Sequence, residues 1–212
     1  MASAQPAASN TRERLLLAAE RLFATNGIGG VSLREISAAA GQRNTSAAHY
    51  YFGDKDTLVR AVFEYRMAPI NAHRGHMLEK LRSSGEDRDP RRLLEALVLP
   101  MAAGIVAGGY YGRFLAHLHT DPGYRLTYDW EEASALREVW DAITETLGDL
   151  PPRVLRNRMR MLRSLVNVTA GEMEQRGATA SGDDPQEWAL DLVEACLGLV
   201  TAPVRESPGG QG

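Results

Sequence analysis

The sequence predicts an all-α protein of about nine helices, and three observations carry that prediction. No segment alternates apolar and polar residues over a strand's length with β-branched enrichment, and no Asn-Gly or Asp-Gly turn joins two such runs. Helix starts recur instead: Asn10 with Glu13, Ser32 with Glu35 and Asp184 with Glu187 each set a capping residue three positions before a Glu that reaches back to it. Asp121-Pro122 and Asp184-Pro185 add an N-cap acid followed by proline, whose missing N–H is harmless in a first turn.

Between these marks the apolar residues recur at helical spacing. A first helix is expected over residues 11–26, with Leu15, Leu16, Ala19, Leu22 and Phe23 on one face and Gly27 ending it. Two short helices, 33–40 and 44–52, flank a turn at Gly41. A longer helix starts at Lys55 with Leu58, Val59, Val62 and Phe63 along its inner stripe, and Pro69 should kink or end it. Beyond a charged linker at 85–89, helices are expected over 90–108, 110–119, 122–147, 152–176 and 185–202. The domain reading is a tail at 1–10, an N-terminal domain at 11–66, a C-terminal domain at 67–204 and a second tail at 205–212, both tails being expected to be disordered.

Composition narrows the classes. With 212 residues, 44% hydrophobic and 24% charged, the chain has ordinary globular usage and length enough for a real core. A single cysteine, Cys196, forbids an internal disulfide, and no basic segment followed by an apolar run opens the chain, so a cytoplasmic protein is expected. The longest uncharged stretch, 96–112, is interrupted by Pro100 and four glycines and is too short for a membrane helix, so no membrane partner is expected. The net charge of −3 is split unevenly, +2 over residues 1–66 and −5 over 67–212. A basic end on an acidic body is a weak pointer to nucleic acid.

The stretch from Ser32 to Lys55 is the most informative. A short capped helix, a glycine turn and a second short helix make a helix-turn-helix, whose second helix enters the major groove. Ile36 and Ala39 supply an inward face, Ala40 allows close crossing and Gly41 supplies the turn's backbone freedom. The second helix presents Arg43, Asn44, Thr45, Ser46 and His49, short donors and acceptors suited to base edges and phosphates. On spacing alone, a solvated polar face and a DNA-reading face both remain open.

Residues 11–66 also resemble the N-terminal domain of the TetR family of bacterial one-component repressors. The first helix ends in Leu22-Phe23-Ala24-Thr25-Asn26-Gly27, followed by Val31-Ser32-Leu33-Arg34-Glu35-Ile36 and Ala39-Ala40-Gly41. Tyr50-Tyr51-Phe52-Gly53-Asp54-Lys55-Asp56-Thr57-Leu58 then resembles the family's aromatic-His-Phe-x-x-Lys-x-x-Leu, with one residue more than usual between Gly41 and Phe52. The resemblance implies a ligand-responsive repressor that binds a palindromic double-stranded DNA operator as a homodimer, with a small-molecule effector and no cofactor. It implies that Arg43, Asn44, Thr45 and Ser46 approach bases, that His49, Tyr50 and Tyr51 approach phosphates or thymine methyls, and that Lys55 meets the DNA backbone beside its helix's positive end. Ser32 could do the same, Arg34 either meets phosphate or forms a surface ion pair, and Phe52 is expected in the core.

In such regulators the remainder is a helical ligand-binding and dimerisation domain. Trp188, Leu192, Cys196 and Leu199 line one face of the last helix, and Leu155, Met159, Leu162 and Val166 line the helix before it. A four-helix seam across a two-fold axis and burial within one subunit both accommodate these residues. Candidates for a ligand cavity are Met67, Ile70, His73, Met77, Met101, Ile105, Phe114, His117, Trp130 and Trp140, apolar bodies with occasional polar tips. Glycines 104, 108, 109 and 112 either open space there or allow close helix packing.

Two other classes compete. A helical metal-dependent enzyme would use His73 with His76, or His117 with His119, but neither pair comes with a cysteine or a His-Glu-x-x-His pattern, and no metal site is assigned. Gly-x-Ser-x-Gly and phosphate-loop signatures are missing, so no catalytic residue is named and an enzyme is not expected. A helical adaptor binding only protein would show no salt-dependent binding to DNA.

Overall fold

The computed structural model describes residues 5–105, 109–124, 133–176 and 185–204, and among them it has nine helices and no strand. They are α1 (Gln5–Asn26), α2 (Leu33–Ala39), α3 (Ala47–Phe52), α4 (Lys55–Ser84), α5 (Pro90–Gly104), α6 (Tyr111–Thr120), α7 (Ser134–Thr146), α8 (Pro152–Arg176) and α9 (Pro185–Thr201). The first three pack with the start of α4 as a helix-turn-helix unit, and α5 to α9 form a helical body on the rest of α4. One apolar core runs from Leu15 to Val200.

Several helix bounds differ from the sequence reading. α1 begins at Gln5, so the expected tail of residues 1–10 is helical from that residue and Asn10 lies inside the helix instead of capping it. Pro6 falls in the first turn, where proline is tolerated, and Ala7 and Ala8 extend the helix backwards. Pro69 does not end α4, which runs on through Ser84. That proline is exposed, so the carbonyl it leaves without a partner one turn back can face water. Pro122 lies in a turn stabilised by the Asp121 carboxylate, which accepts from Gly123 N–H at 2.8 Å, and of the helix expected over 122–147 the described residues show α7 from Ser134 to Thr146. Residues 106–108, 125–132 and 177–184, with them Trp130, Gly108 and the Asp184 cap, lie outside the described residues.

Buried polar groups fix the packing. Glu20, 2% exposed, accepts from Arg66 Nε at 2.8 Å and Nη2 at 2.6 Å, tying α1 to α4. Glu174 of α8, 3% exposed, accepts from the N–H groups of Gly112 and Arg113, both at 3.0 Å, and so caps the start of α6. Arg158 closes the other end of the body by donating to the carbonyls of Val200, at 2.7 Å, and of Ala202 just past α9. Gly112 serves close packing: a Cβ there would lie 2.5 Å from the Ala170 carbonyl oxygen, and one on Gly171 would lie 2.9 Å from Ala116 Cβ.

Candidate nucleic-acid interface and internal cavity

The Ser32 capping box forms as expected. Glu35 N–H donates to Ser32 Oγ at 3.3 Å, and the Ser32 hydroxyl and N–H each donate to Glu35 Oε2 at 2.7 Å; the hydroxyl first and then the N–H hold the Glu35 carboxyl below its usual range. α2 ends at Ala40 and Gly41, whose φ of 69° only glycine adopts cheaply, with Gly41 and Gln42 N–H donating to Ala38 and Ser37 carbonyls at 3.0 Å. Ile36 and Ala40 are buried as expected, but Ala39 is exposed. The inward partner missed in the sequence is Ser37, fully buried. Its hydroxyl donates to Leu33 O and accepts from Ala48 N–H, both at 2.9 Å, pinning the first turn of α3 against α2.

α3 is shorter than expected, starting at Ala47 where a start near Asn44 was read. The Asn44 side chain accepts from Ser46 N–H at 2.9 Å, a local turn that competes with the helix. Ala47, Ala48 and Phe52 face the core. Arg43, Asn44, Thr45, Ser46 and His49 remain exposed, as do Ser32 and Arg34 on α2, so the polar candidates share one end of the molecule. Tyr50 stands 83% exposed at the outer edge of α3, its ring 5.4 Å from that of the half-buried Tyr51. Phe52 is buried under Arg12, whose guanidinium lies 5.3 Å over its ring.

Lys55 has a different place from the one expected. Its ammonium donates to the carbonyls of Ile28, Gly29 and Val31 at 2.9, 3.3 and 3.1 Å, which engages all three protons on the loop between α1 and α2. It ties the helix-turn-helix together from within; Asp54 caps α4 beside it through Thr57 N–H at 2.7 Å, a bond that lowers the Asp54 pKa.

A pocket of about 980 Å³, open to solvent on the side of the exposed Arg156 and Arg160, lies between α4 to α8 and the turn after α6. Of the sequence candidates, Met67, Met101 and Trp140 line it. Ile70, Ile105 and Phe114 are core instead: Ile70 packs against Gly104, and Phe114 stacks on Phe23 with ring centroids 6.1 Å apart. His73 is exposed, Met77 is half-buried away from the cavity, and His117 sits by Gly27 at the end of α1. Residues missed in the sequence include Arg74, Tyr124 and three arginines of α8. Arg74 was missed because an arginine in a helix reads as a solvated residue unless the fold turns it inward, as it does here.

Leu162, Val166, Leu192 and Cys196 are buried within the subunit, Leu155, Met159 and Val166 line the cavity, and Trp188 and Leu199 are half-buried against the core. Burial pushes the Cys196 thiol up to about 12. The outer faces of α8 and α9 expose Met161, Val168 and Leu190 instead. Among the described residues no group of three potential metal ligands occurs, and no helix is long and apolar enough to cross a membrane.

A capped short helix, a glycine turn and a second helix with its polar face outward define a helix-turn-helix DNA-binding domain, here joined to a helical body with an internal cavity. Residues 15–62 match the family described as bacterial regulatory proteins, tetR family. That match spans the helix-turn-helix and the start of α4, and over most of its length the chain shares its fold with solved tetR-family structures. Native NalD, the secondary repressor of the MexAB-OprM multidrug efflux pump in Pseudomonas aeruginosa, superposes with a TM-score of 0.56 at 21% identity, over 90% of this chain and 96% of that one. A tetR-family regulator from Shewanella sp. PV-4 does so with a TM-score of 0.58 at 16% identity, over 90% and 95%. No curated protein matches the chain.

Proposed function

We propose that this regulator represses transcription by binding a palindromic operator as a homodimer and leaves it when a small molecule fills the internal cavity. The observation that carries the reading is α3. Ser37 and the apolar pair Ala47 and Ala48 fix it on one side, and Arg43, Thr45, His49 and Tyr50 are exposed and unburdened by core packing on the other. Repression is supported by the likeness to NalD, and effector control by a cavity large enough for a drug-sized molecule.

Two-fold symmetry would set two α3 helices about one duplex turn apart. The faces suited to pairing are the outer ones of α8 and α9, with Met161, Leu165 and Val168 at i, i+4 and i+7 and Leu190 and Leu197 a further two turns' spacing on α9. Replacing Met161 and Val168 together by Glu converts the dimer to monomer in sedimentation and abolishes tight operator binding; an unchanged sedimentation coefficient rejects that face. The operator itself is recovered by selecting bound fragments from genomic DNA with the purified protein. Against it, Arg43→Ala weakens binding by ~1–3 kcal/mol if the guanidinium reads a guanine. Unchanged gel shifts with that variant remove Arg43 from the interface.

A further inference from the structure

The buried cation in the pocket wall serves a helix. Pro100 of α5 has no N–H to give the Ala96 carbonyl four residues back, and both residues are buried. Arg74 of α4, 1% exposed, supplies the missing donor: its Nε donates to Ala96 O and its Nη2 to Leu97 O, both at 3.1 Å. Nη1 donates to the Asn71 amide oxygen and to Met67 Sδ, the latter at 3.8 Å. With its donors spent on the proline break and on its own helix, Arg74 has no paired N–H groups left for a carboxylate. Arg163 is engaged over the Trp140 ring, 5.0 Å from the centroid, and Arg156 and Arg160 stand in water at the open side.

His119, near the end of α6, is a half-buried polar group of the lining that is satisfied at one end only. Its Nε2 shares a hydrogen bond of 2.9 Å with Ser164 Oγ of α8, and its Nδ1 has no partner among the described residues. Burial first, and then Arg163, hold its pKa below the ordinary histidine value, so the ring is neutral at pH 7. If the Ser164 hydroxyl donates to Nε2, Nδ1 carries the proton and offers a donor; if Nε2 donates, Nδ1 offers an acceptor. A ligand hydroxyl answers either tautomer, because one oxygen both donates and accepts. The surrounding walls are aromatic and thioether, with Phe63, Trp140, Met67, Met101 and Met159, and both kinds of side chain favour the faces and edges of a flat ring system. We propose that the effector is an uncharged hydroxylated aromatic compound, a phenol or naphthol, with its hydroxyl on His119 and its rings against Trp140 and the methionines. The proposal rests on the reading of this pocket as the effector site and names the chemical class it takes.

Calorimetry of the full-length protein with 2-naphthol, 2-methoxynaphthalene, 2-naphthoate and 2-naphthylmethylamine tests it without DNA. The naphthol binds, the ether, which cannot donate, binds about tenfold more weakly, and the two charged compounds bind more weakly still. His119→Phe keeps a ring in the wall and brings naphthol and ether to equal affinity, chiefly by weakening the naphthol. Ser164→Ala, which frees the far side of the imidazole, narrows the preference in the same direction and serves should the first variant fail to fold. Equal affinity of the parent protein for naphthol and ether, tighter binding of the acid or the amine, binding by none of the four compounds, or a preference undiminished in the folded variants overturns the proposal. A gel shift with 2-naphthol then addresses the effector reading separately: binding in the calorimeter with no release of operator upholds the ligand class and rejects effector control.

Discussion

Ser37 shows how much one side chain can decide. Its hydroxyl bridges Leu33 O within α2 and Ala48 N–H at the start of α3, so a single buried oxygen links the two helices. Ser37→Ala leaves the buried Ala48 N–H unpaired and costs ~1–3 kcal/mol of stability, readable as a lower urea midpoint with unchanged slope. Operator affinity falls with it, because the reading helix loses its brace; a midpoint equal to the parent's refutes the lock. In the sequence, Ser37 was one more small residue in a Ser-Ala-Ala-Ala run, and nothing local marks a helical serine as a donor to another helix. Lys55 is the converse. Its position after Phe52 is legible from the motif, but its role is set by three carbonyls contributed 24 to 27 residues earlier, a distance across which no spacing rule operates.

Helices were readable where their ends are chemical and unreadable where tertiary packing draws them. Pro152 and Pro185 open α8 and α9 where proline at a first turn should, and Gly85, in the left-handed region at φ 75°, ends α4. The start of α3 moved from Asn44 to Ala47 because the asparagine side chain forms a turn of its own, a competition that residue identity permits but does not decide. The crossing of α6 and α8 belongs to this scale. Gly112 and Gly171 let two backbones meet, with Gly112 facing the Ala170 carbonyl and Gly171 facing Ala116, and Glu174 then caps α6 from one turn further along α8. Gly112→Ala brings a Cβ to 2.5 Å from backbone and forces the helices apart. A loss of ~1–3 kcal/mol is expected, seen as a lower thermal midpoint by circular dichroism, and helix propensity alone would have raised it. Ala at the exposed, uncrowded Gly198 is the control and stabilises or leaves the midpoint unmoved.

Across the whole molecule the two functions share parts, and that sharing is what makes communication between them physical. α4 starts beside the helix-turn-helix at Lys55 and continues for 30 residues, contributing Phe63, Met67 and Arg74 to the cavity. α6 packs on α1, with Phe114 stacked on Phe23, so the body also touches the DNA-binding unit from a second side. Tyr124 joins both routes: its ring lines the cavity, and its phenol, pushed up to about 12 by burial and then by interaction with Asp56, lies at the first turn of α4. A ligand that displaces Tyr124 therefore loosens a contact at the base of the reading unit. Coupling is a differential free energy, so the variant must alter the ratio of operator affinities with and without ligand while leaving the unliganded affinity near its parent value. Tyr124→Phe keeps the ring in the cavity wall and removes the contact to Asp56. A tenfold release of operator by ligand corresponds to about 1.4 kcal/mol of coupling, and the variant is expected to reduce that release at least threefold at saturating ligand. Gel shifts across a titration with a compound that calorimetry first shows to bind the parent protein measure it, and calorimetry of the variant confirms that the compound still binds. If the release is undiminished, the signal passes through α4 and α6 alone, and the turn after α6 only closes the cavity.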